Sequence, residues 1–380
     1  MKKIVTFFKK EPMLVVSVTA AVIAMFITPP SSRLLSDIDW HTLATLFMML
    51  TVLEGFKSEN IFRPLLRLAG RIRSMAALSL FLVFSVFFSS MFVTNDVSLI
   101  IFVPLTIILF RAGDMEKYIL PVISMENIAA IRGSLLTPFG SPQNLFVYGQ
   151  SGVPALLFVR YMFPIWILSA LLLTAFVLIL YCRNIRQHTG MSEMSFAGEW
   201  PKERQFHRIA YLSIFAVVLW TIVSRTSAWM WVAAGVAIAV LLIDRRILLK
   251  TDYVLLLTFL CFFVFSSSIA SNAAISGLLS KWVNGNEYVW SILLSQVISN
   301  VPASIVLYPF AGNVGALIYG LDTAGLCSLI GSLASVINYR IYVREYPDHG
   351  GQFIKVFTLI SLAFFALVAL PGYCISLGGM

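Results

Sequence analysis

The chain has 380 residues, of which 59% are apolar and only 12% charged, against about 45–50% and about 25% in ordinary soluble proteins. A mean hydropathy of +0.88, sustained along the chain and not concentrated in one anchor, excludes a soluble globular enzyme and predicts a polytopic membrane protein. The net charge of +9 lies in clusters between apolar runs, with no basic stripe interleaved with aromatics, so it reads as positive-inside topology and no nucleic-acid partner is expected.

In chain order, Lys2, Lys3, Lys9 and Lys10 precede a first apolar run from Met13 to Thr28. The following ITPPSSR has no A-x-A cleavage pattern, so residues 1–30 are expected to hold a retained N-terminal span. Stretches of bilayer length then fall at 40–56, 74–93, 97–112, 117–149, 153–181, 208–224, 228–243, 252–270, 288–310, 316–340 and 353–376. Two are interrupted. Residues 74–112 break at Thr94-Asn95-Asp96 and carry bases at both ends (Arg63, Arg67, Arg71 and Arg73 before, Arg111 and Lys117 after). A re-entrant hairpin with this triplet at its tip satisfies the charges, provided the irregular backbone is buried in protein or lines a cavity; the plain alternative is two spans with an external turn. Residues 288–310 break at Ser299-Asn300-Val301-Pro302, with ends that look external. With the N-terminus in and the C-terminus out, most bases fall in the cytoplasm, including those of a basic loop at 182–208, the Asp244–Arg245–Arg246–Lys250 cluster, and Arg340, Arg344 and Lys355.

TNDVSLIIFVP (94–104) aligns with SNVPASIVLYP (299–309). Each interrupted stretch follows one apolar span and precedes a Gly/Ser-punctured one, LLTPFGSPQN (135–144) or LIGSLAS (329–335). The expected architecture is all-α, with about 9 full spans plus 2 hairpins at bilayer length. It holds two inverted repeats: residues 40–181 (hairpin 74–112, broken helix 117–149) and 252–376 (hairpin 288–310, broken helix 316–340), linked by the loop 182–208 and a span pair at 208–250. Such repeats with broken helices meeting near the midplane are the construction of many secondary transporters.

The chemistry-bearing groups cluster at the interruptions. Thr94, Asn95 or Asp96 could each cap the helix that starts beyond them. An intramembrane carboxylate is expensive, however, and such acids mark ion or proton paths; Asp96 is the expected ion-coupling residue. Pro138, Gly140, Ser141 and Pro142 break the next helix by removing a backbone hydrogen bond, permitting a turn and restarting with an N-cap and a first-turn proline. The unwound carbonyls suit a small cation and the restarted helix an anion; the plain alternative is a proline kink. The expected substrate-binding residues are Thr94, Asn95, Thr137, Gly140, Ser141 and Asn144 in the first half and Ser299, Asn300, Gly331, Ser332 and Ser335 in the second. Glu126 and Arg132, six residues apart, are not on one helix face. Arg132 could snorkel, pair with Asp96 or bind a substrate anion. His41, His188, His207 and His349 fall at span ends or in loops. Cys182, Cys261, Cys327 and Cys374 have neither disulfide nor zinc spacing. The motifs of ATP-driven pumps, zinc proteases and serine hydrolases are absent, so no enzyme activity, metal or cofactor is expected beyond a coupling H+ or Na+.

VTNDVSLIIFVPLTI, GSLLTPFGSPQNL and SQVISNVPAS together resemble the ion transporter superfamily of arsenite permeases, sodium–proton antiporters, and citrate and divalent anion symporters. The likeness is closest to small anion permeases with a citrate-transporter-like domain. It implies a scaffold domain that often dimerises and a transport domain of two hairpins plus two broken helices moving as an elevator in the cytoplasmic (inner) membrane. In the sodium-coupled symporters the hairpin tips read Ser-Asn-Thr and help hold sodium and a carboxylate; by position these become Thr94-Asn95-Asp96 and Ser299-Asn300-Val301. Asp96 and Val301 each replace a hydroxyl there, and Ser299 stands where the antiporters carry an acid. The expected function is secondary transport of a small anion or oxyanion coupled to protons or sodium. The alternative is a sodium–proton antiporter with no organic substrate, and a passive channel fits less well because the polar groups cluster instead of lining a path.

Overall fold

A computed structural model describes residues 12–28, 38–69, 72–182 and 204–378. The N-terminal lysines and nearly all of the basic loop at 182–208, with His188, lie outside the described residues. Every regular element described is helical. In chain order these are α1 (Pro12–Ile27), α2 (Trp40–Ser58), α3 (Arg63–Ala69), α4 (Met75–Val93), α5 (Asn95–Ala112), α6 (Ile119–Ser134), α7 (Pro142–Ser151), α8 (Ala155–Leu180), α9 (Gln205–Ser224), α10 (Trp229–Lys250), α11 (Tyr253–Ser271), α12 (Ala273–Val283), α13 (Glu287–Ile298), α14 (Asn300–Leu307), α15 (Val314–Ala324), α16 (Leu333–Glu345) and α17 (Gly350–Ser376). Helices occupy the expected stretches, but among the described residues only six are long and apolar enough to cross a membrane: α4, α5, α8, α9, α11 and α17. Both interrupted stretches break at the expected residues. The helix of the 228–243 span continues to Lys250, with Asp244 non-helical at the expected end.

The helices pack as two bodies. Helices α1, α2, α9, α10, α11 and α12 contact one another; α4 to α8 and α13 to α17 form a second set, and the principal contacts between the sets are α2 with α7 and α11 with α14. In lipid, helices gain nothing from hiding apolar surface from one another, so close packing relies on small residues and polar links. Gly133 of α6 lies against the main chain of α4 at Phe87, and Gly320 of α15 lies against the main chain of α13 at Tyr288; a Cβ at either would overlap that carbonyl. One glycine thus seats the first arm of each hairpin on a broken helix.

Helices α2 and α11 run antiparallel. Thr51 of α2 meets Thr251, just before α11, at 3.1 Å, and Phe47 packs on Tyr253. The hairpins open toward opposite ends of the second body. Arg111, at the end of α5, pairs with Glu345 at 3.3 Å beside the start of α17, whereas Asn313, following the second hairpin, donates to the carbonyl of Ser376 at the end of α17 at 3.1 Å. Glu287 closes that second base by accepting the N–H groups of Gly312 and Asn313, both at 2.9 Å.

Length separates the hairpins. Helices α4 and α5 have 19 and 18 residues, about 28 Å at 1.5 Å per residue, and both are long and apolar enough to cross a membrane. Helices α13 and α14 have 12 and 8 residues, about 18 and 12 Å, too short for a hydrocarbon core of about 30 Å.

Candidate functional site

The tips and breaks share backbone conformations across the two halves. Thr94 has φ 67° and ψ 156°, Ser299 φ 69° and ψ 158°, and an Asn opens the next helix after each. The residues that restart the broken helices also agree: Ser141 at φ −149° and ψ 154°, Ser332 at −145° and 139°. So do the N-caps of α2 and α11, Asp39 at −77° and 81° and Asp252 at −75° and 80°. Each break turns on a glycine. A Cβ on Gly140 would strike the main chain of Ser134, and one on Gly331 the carbonyl of Ala324.

A cavity of about 470 Å³ lies between the bodies at the C-terminal end of α2. It is lined from α2 by Leu46, Glu54 and Lys57, from the α11 entry by Lys250 and Asp252, and from the second body by Thr94, Asp96, Phe139, Ser141 and Leu145. The first hairpin tip and the first helix break therefore open into one space. Asp96 is half-buried there, and its Oδ1 has no hydrogen-bond partner. Lys57 and Asp252 are the charged groups that act on it. A second cavity of about 380 Å³ lies at the other end of the α2 and α11 pair, lined by Asp39, Phe146, Gln150, Ser266, Ser271 and Tyr308. The second tip lines neither: Ser299 and Asn300 are buried.

The remaining expected ligands divide by what they touch. Thr137 donates to the carbonyl of Met91, binding the first break to the hairpin. Ser141 accepts from the N–H of Asn144 at 3.4 Å. The main chain of Asn300 donates to Gly331 O at 3.1 Å, so the second tip is tied to the second break, and its side chain reaches Leu321 O at 3.4 Å. Ser335 accepts from Asn127 at 2.9 Å. Asn95 Oδ1 accepts the N–H of Asp96. Ser332 makes no capping bond.

Arg132 neither snorkels nor pairs with Asp96. It is buried, donating to Ser169 Oγ at 3.0 Å and to the carbonyl of Asp322 at 3.4 Å, because α6 is enclosed by α4, α5, α8, α16 and α17. Glu126 is also buried, its Oε1 accepting from Thr106, and it forms no ion pair with Arg132. The residue that sequence reasoning missed is Asp322. It is 1% exposed, on the last turn of α15 before the second break, and Gln143 Nε2 donates to its Oδ1 at 3.1 Å. An acid inside the apolar run 316–340 was the available signal, the same one that marked Asp96. Asn127, Gln143 and Asn338 were missed as well, and they are legible only through partners far away in the chain. Among the described residues no group of three potential ligands could hold a metal ion.

The citrate transporter (CitMHS) family matches residues 4–331. The chain is 33% identical over 313 residues to Inner membrane protein YbiR of Escherichia coli, covering 80% of each chain. It is 29% identical over 310 residues to Uncharacterized transporter MJ0456 of Methanocaldococcus jannaschii, covering 80% of this chain and 81% of that one. With its hairpin tips, helix breaks and apolar spans, this chain belongs to the citrate transporter family of the ion transporter superfamily and is a multi-pass inner-membrane protein.

Proposed function

We propose that this membrane transporter is a secondary active carrier of a small anion or oxyanion, coupled to protons or sodium, in which the hairpin body slides past the other as an elevator. The observation that carries the reading is the cavity between two bodies with few mutual contacts, open to one hairpin tip while the other is buried. A continuous polar path would suit a channel; a site exposed to one end at a time suits alternating access. The matched conformations at Asp39 and Asp252, Thr94 and Ser299, and Ser141 and Ser332 support two repeats, and the antiparallel α2 and α11 support their inversion. In this reading the short second hairpin is re-entrant, and the first, whose arms are each long enough to cross a membrane, is re-entrant by its symmetry with the second, with the N-terminus in and the C-terminus out. The starts of α5 and α7 border the cavity, and the positive ends of these helices suit an anion, while Lys57 there is paired with Glu54 at 3.0 Å.

One observation favours a second reading. Glu54, Asp96 and Asp252 place three carboxylates around the cavity against Lys57 and Lys250, a lining that also suits sodium–proton exchange without an organic substrate.

Movement of the bodies has a direct test. A Cβ at Gly149 of α7 lies 3.4 Å from Thr42 Oγ1 of α2, close enough for a disulfide. Oxidation of a Thr42→Cys/Gly149→Cys protein should abolish transport and reduction restore it. Full transport in the completely cross-linked protein would refute sliding.

A further inference from the structure

The first turn of α7 has two sides. Ser141, Pro142 and Leu145 face the cavity, while Gln143 and Asn144 are turned behind it toward Asp322 of α15. Three side-chain oxygens at this place are buried without a hydrogen-bond partner: Asp322 Oδ2, Gln143 Oε1 and Asn144 Oδ1. Gln143 uses its amide nitrogen on Asp322 Oδ1, and Asn144 uses its own on the carbonyls of Ser134 and Leu135. All three can only accept while Asp322 is ionised, since neither an amide oxygen nor a carboxylate has a hydrogen to give. Buried acceptors left without donors are costly, and in native proteins they are met by a ligand, an ion or water.

We propose that Asp322, Gln143 and Asn144 form a binding site for a monovalent cation, a proton or sodium, which is a coupling ion of this carrier in addition to any held at Asp96. The site is distinct from Asp96 and lies one helix face behind the cavity. A proton on Asp322 Oδ2 supplies the missing donor to a neighbouring amide oxygen; a sodium ion is held by the same oxygens. The charged and titratable groups that act on this carboxylate are Arg132 from α6 and Tyr319 from α15, and Tyr288 of α13 stands against Arg132. Arg132 Nη2 is itself buried without a partner. With the site empty, Asp322 is the counter-charge of Arg132. A bound cation removes that compensation and leaves a net positive charge in a medium that tolerates it poorly. Loading is therefore favoured when an anion enters with the cation, which makes the carrier a symporter. This inference rests on the proposed coupled transport, yet the cation site has a readout that needs no transport.

Infrared difference spectra of the reconstituted protein, recorded on a pH step without sodium and on sodium addition at fixed pH, report carboxyl protonation directly. We expect a carboxyl band present in wild type and in Asp96→Asn, missing in Asp322→Asn, and shifted but retained in Asp322→Glu. A band insensitive to sodium identifies the proton as the ligand, and a band that sodium abolishes identifies sodium displacing the proton; each supports the site. A spectrum of Asp322→Asn that keeps every wild-type carboxyl band overturns it. Gln143→Leu provides a second arm if Asp322→Asn does not fold: the band must shift when that partner is lost, and an unshifted band overturns the site. Transport with intact coupling in Asp322→Asn overturns this assignment while leaving the carrier reading in place; absence of any anion current in wild type sinks the reading itself.

Discussion

Thr94 and Ser299, 205 positions apart, hold the same backbone conformation to within a few degrees, φ 67° and 69° with ψ 156° and 158°. That region is populated almost only by glycine, and a non-glycine residue there costs on the order of 1–3 kcal/mol. Two hairpin tips that each hold this conformation, each ahead of an Asn, are shaped for something other than stability. Thr94→Gly and Ser299→Gly should therefore not lower the thermal unfolding midpoint in detergent, and relief of strain should offset the about 0.5–1 kcal/mol that glycine costs in chain entropy. Transport should fall in both because the hydroxyls are lost. A destabilisation of several degrees would contradict the strained-tip account.

Gly133 and Gly320 give the opposite expectation. A methyl at either meets a carbonyl of the packed hairpin arm, Phe87 O or Tyr288 O, and the main chain cannot yield as a side chain does. Gly133→Ala and Gly320→Ala should each destabilise by about 1–3 kcal/mol, the usual cost of overpacking. Gly235→Ala, where an added Cβ meets nothing within 4 Å, is the matched control. Size-exclusion profiles across a temperature series would show the difference, and equal behaviour of all three variants would refute the seating role.

These positions show what the sequence discloses. The tips at Thr94 and Ser299 and the break between Thr137 and Ser141 are written in local chemistry, because Pro, Gly, Asn and hydroxyl residues interrupt an apolar run wherever they fall. Asp322 obeys the same rule for intramembrane acids, but its meaning depends on Gln143, 179 positions away. Lys57 and Asp252 reach the cavity only because α2 and α11 pack antiparallel, which no periodicity records. Helix α12 lies in the stretch passed over between the 252–270 and 288–310 spans.

Arg132 and Asp322 should be energetically coupled. The two buried charges attract each other without a side-chain ion pair, and removing one leaves the other uncompensated, at a cost below the roughly 3–5 kcal/mol of a contacting pair. Arg132→Gln should therefore destabilise markedly, and Arg132→Gln/Asp322→Asn should recover part of the loss, with an interaction energy of order 1 kcal/mol or more from denaturant unfolding. Additive effects would show that the two charges do not act on each other.

Arg225 holds the bodies together at the end away from the first cavity. From the loop after α9 its guanidinium donates to the carbonyls of Tyr148 and Val153 and stacks on the Tyr148 ring at 4.0 Å, while Tyr148 Oη donates to Val223 O at 3.2 Å. Arg225→Gln should loosen this contact and widen access to the second cavity, at whose wall Ser266 is buried. In a background lacking the four native cysteines, Ser266→Cys should then react faster with a membrane-impermeant thiol reagent, by several-fold. An unchanged labelling rate would show that the contact is not a gate.

Asp96 is the carboxylate that the first hairpin tip brings to the cavity, so its replacement should change how transport responds to pH; Asp96→Asn with a wild-type pH profile would remove it from coupling. The central claim, cation-coupled anion transport, is tested most directly by solid-supported membrane currents from reconstituted protein. The panel is arsenite, phosphate, sulfate, citrate and succinate, each with and without sodium and at two pH values. The account predicts a current for at least one anion that depends on the proton or sodium gradient and changes in Asp96→Asn. Silence to every anion, with sodium jumps alone driving proton movement, would contradict it and establish the antiporter.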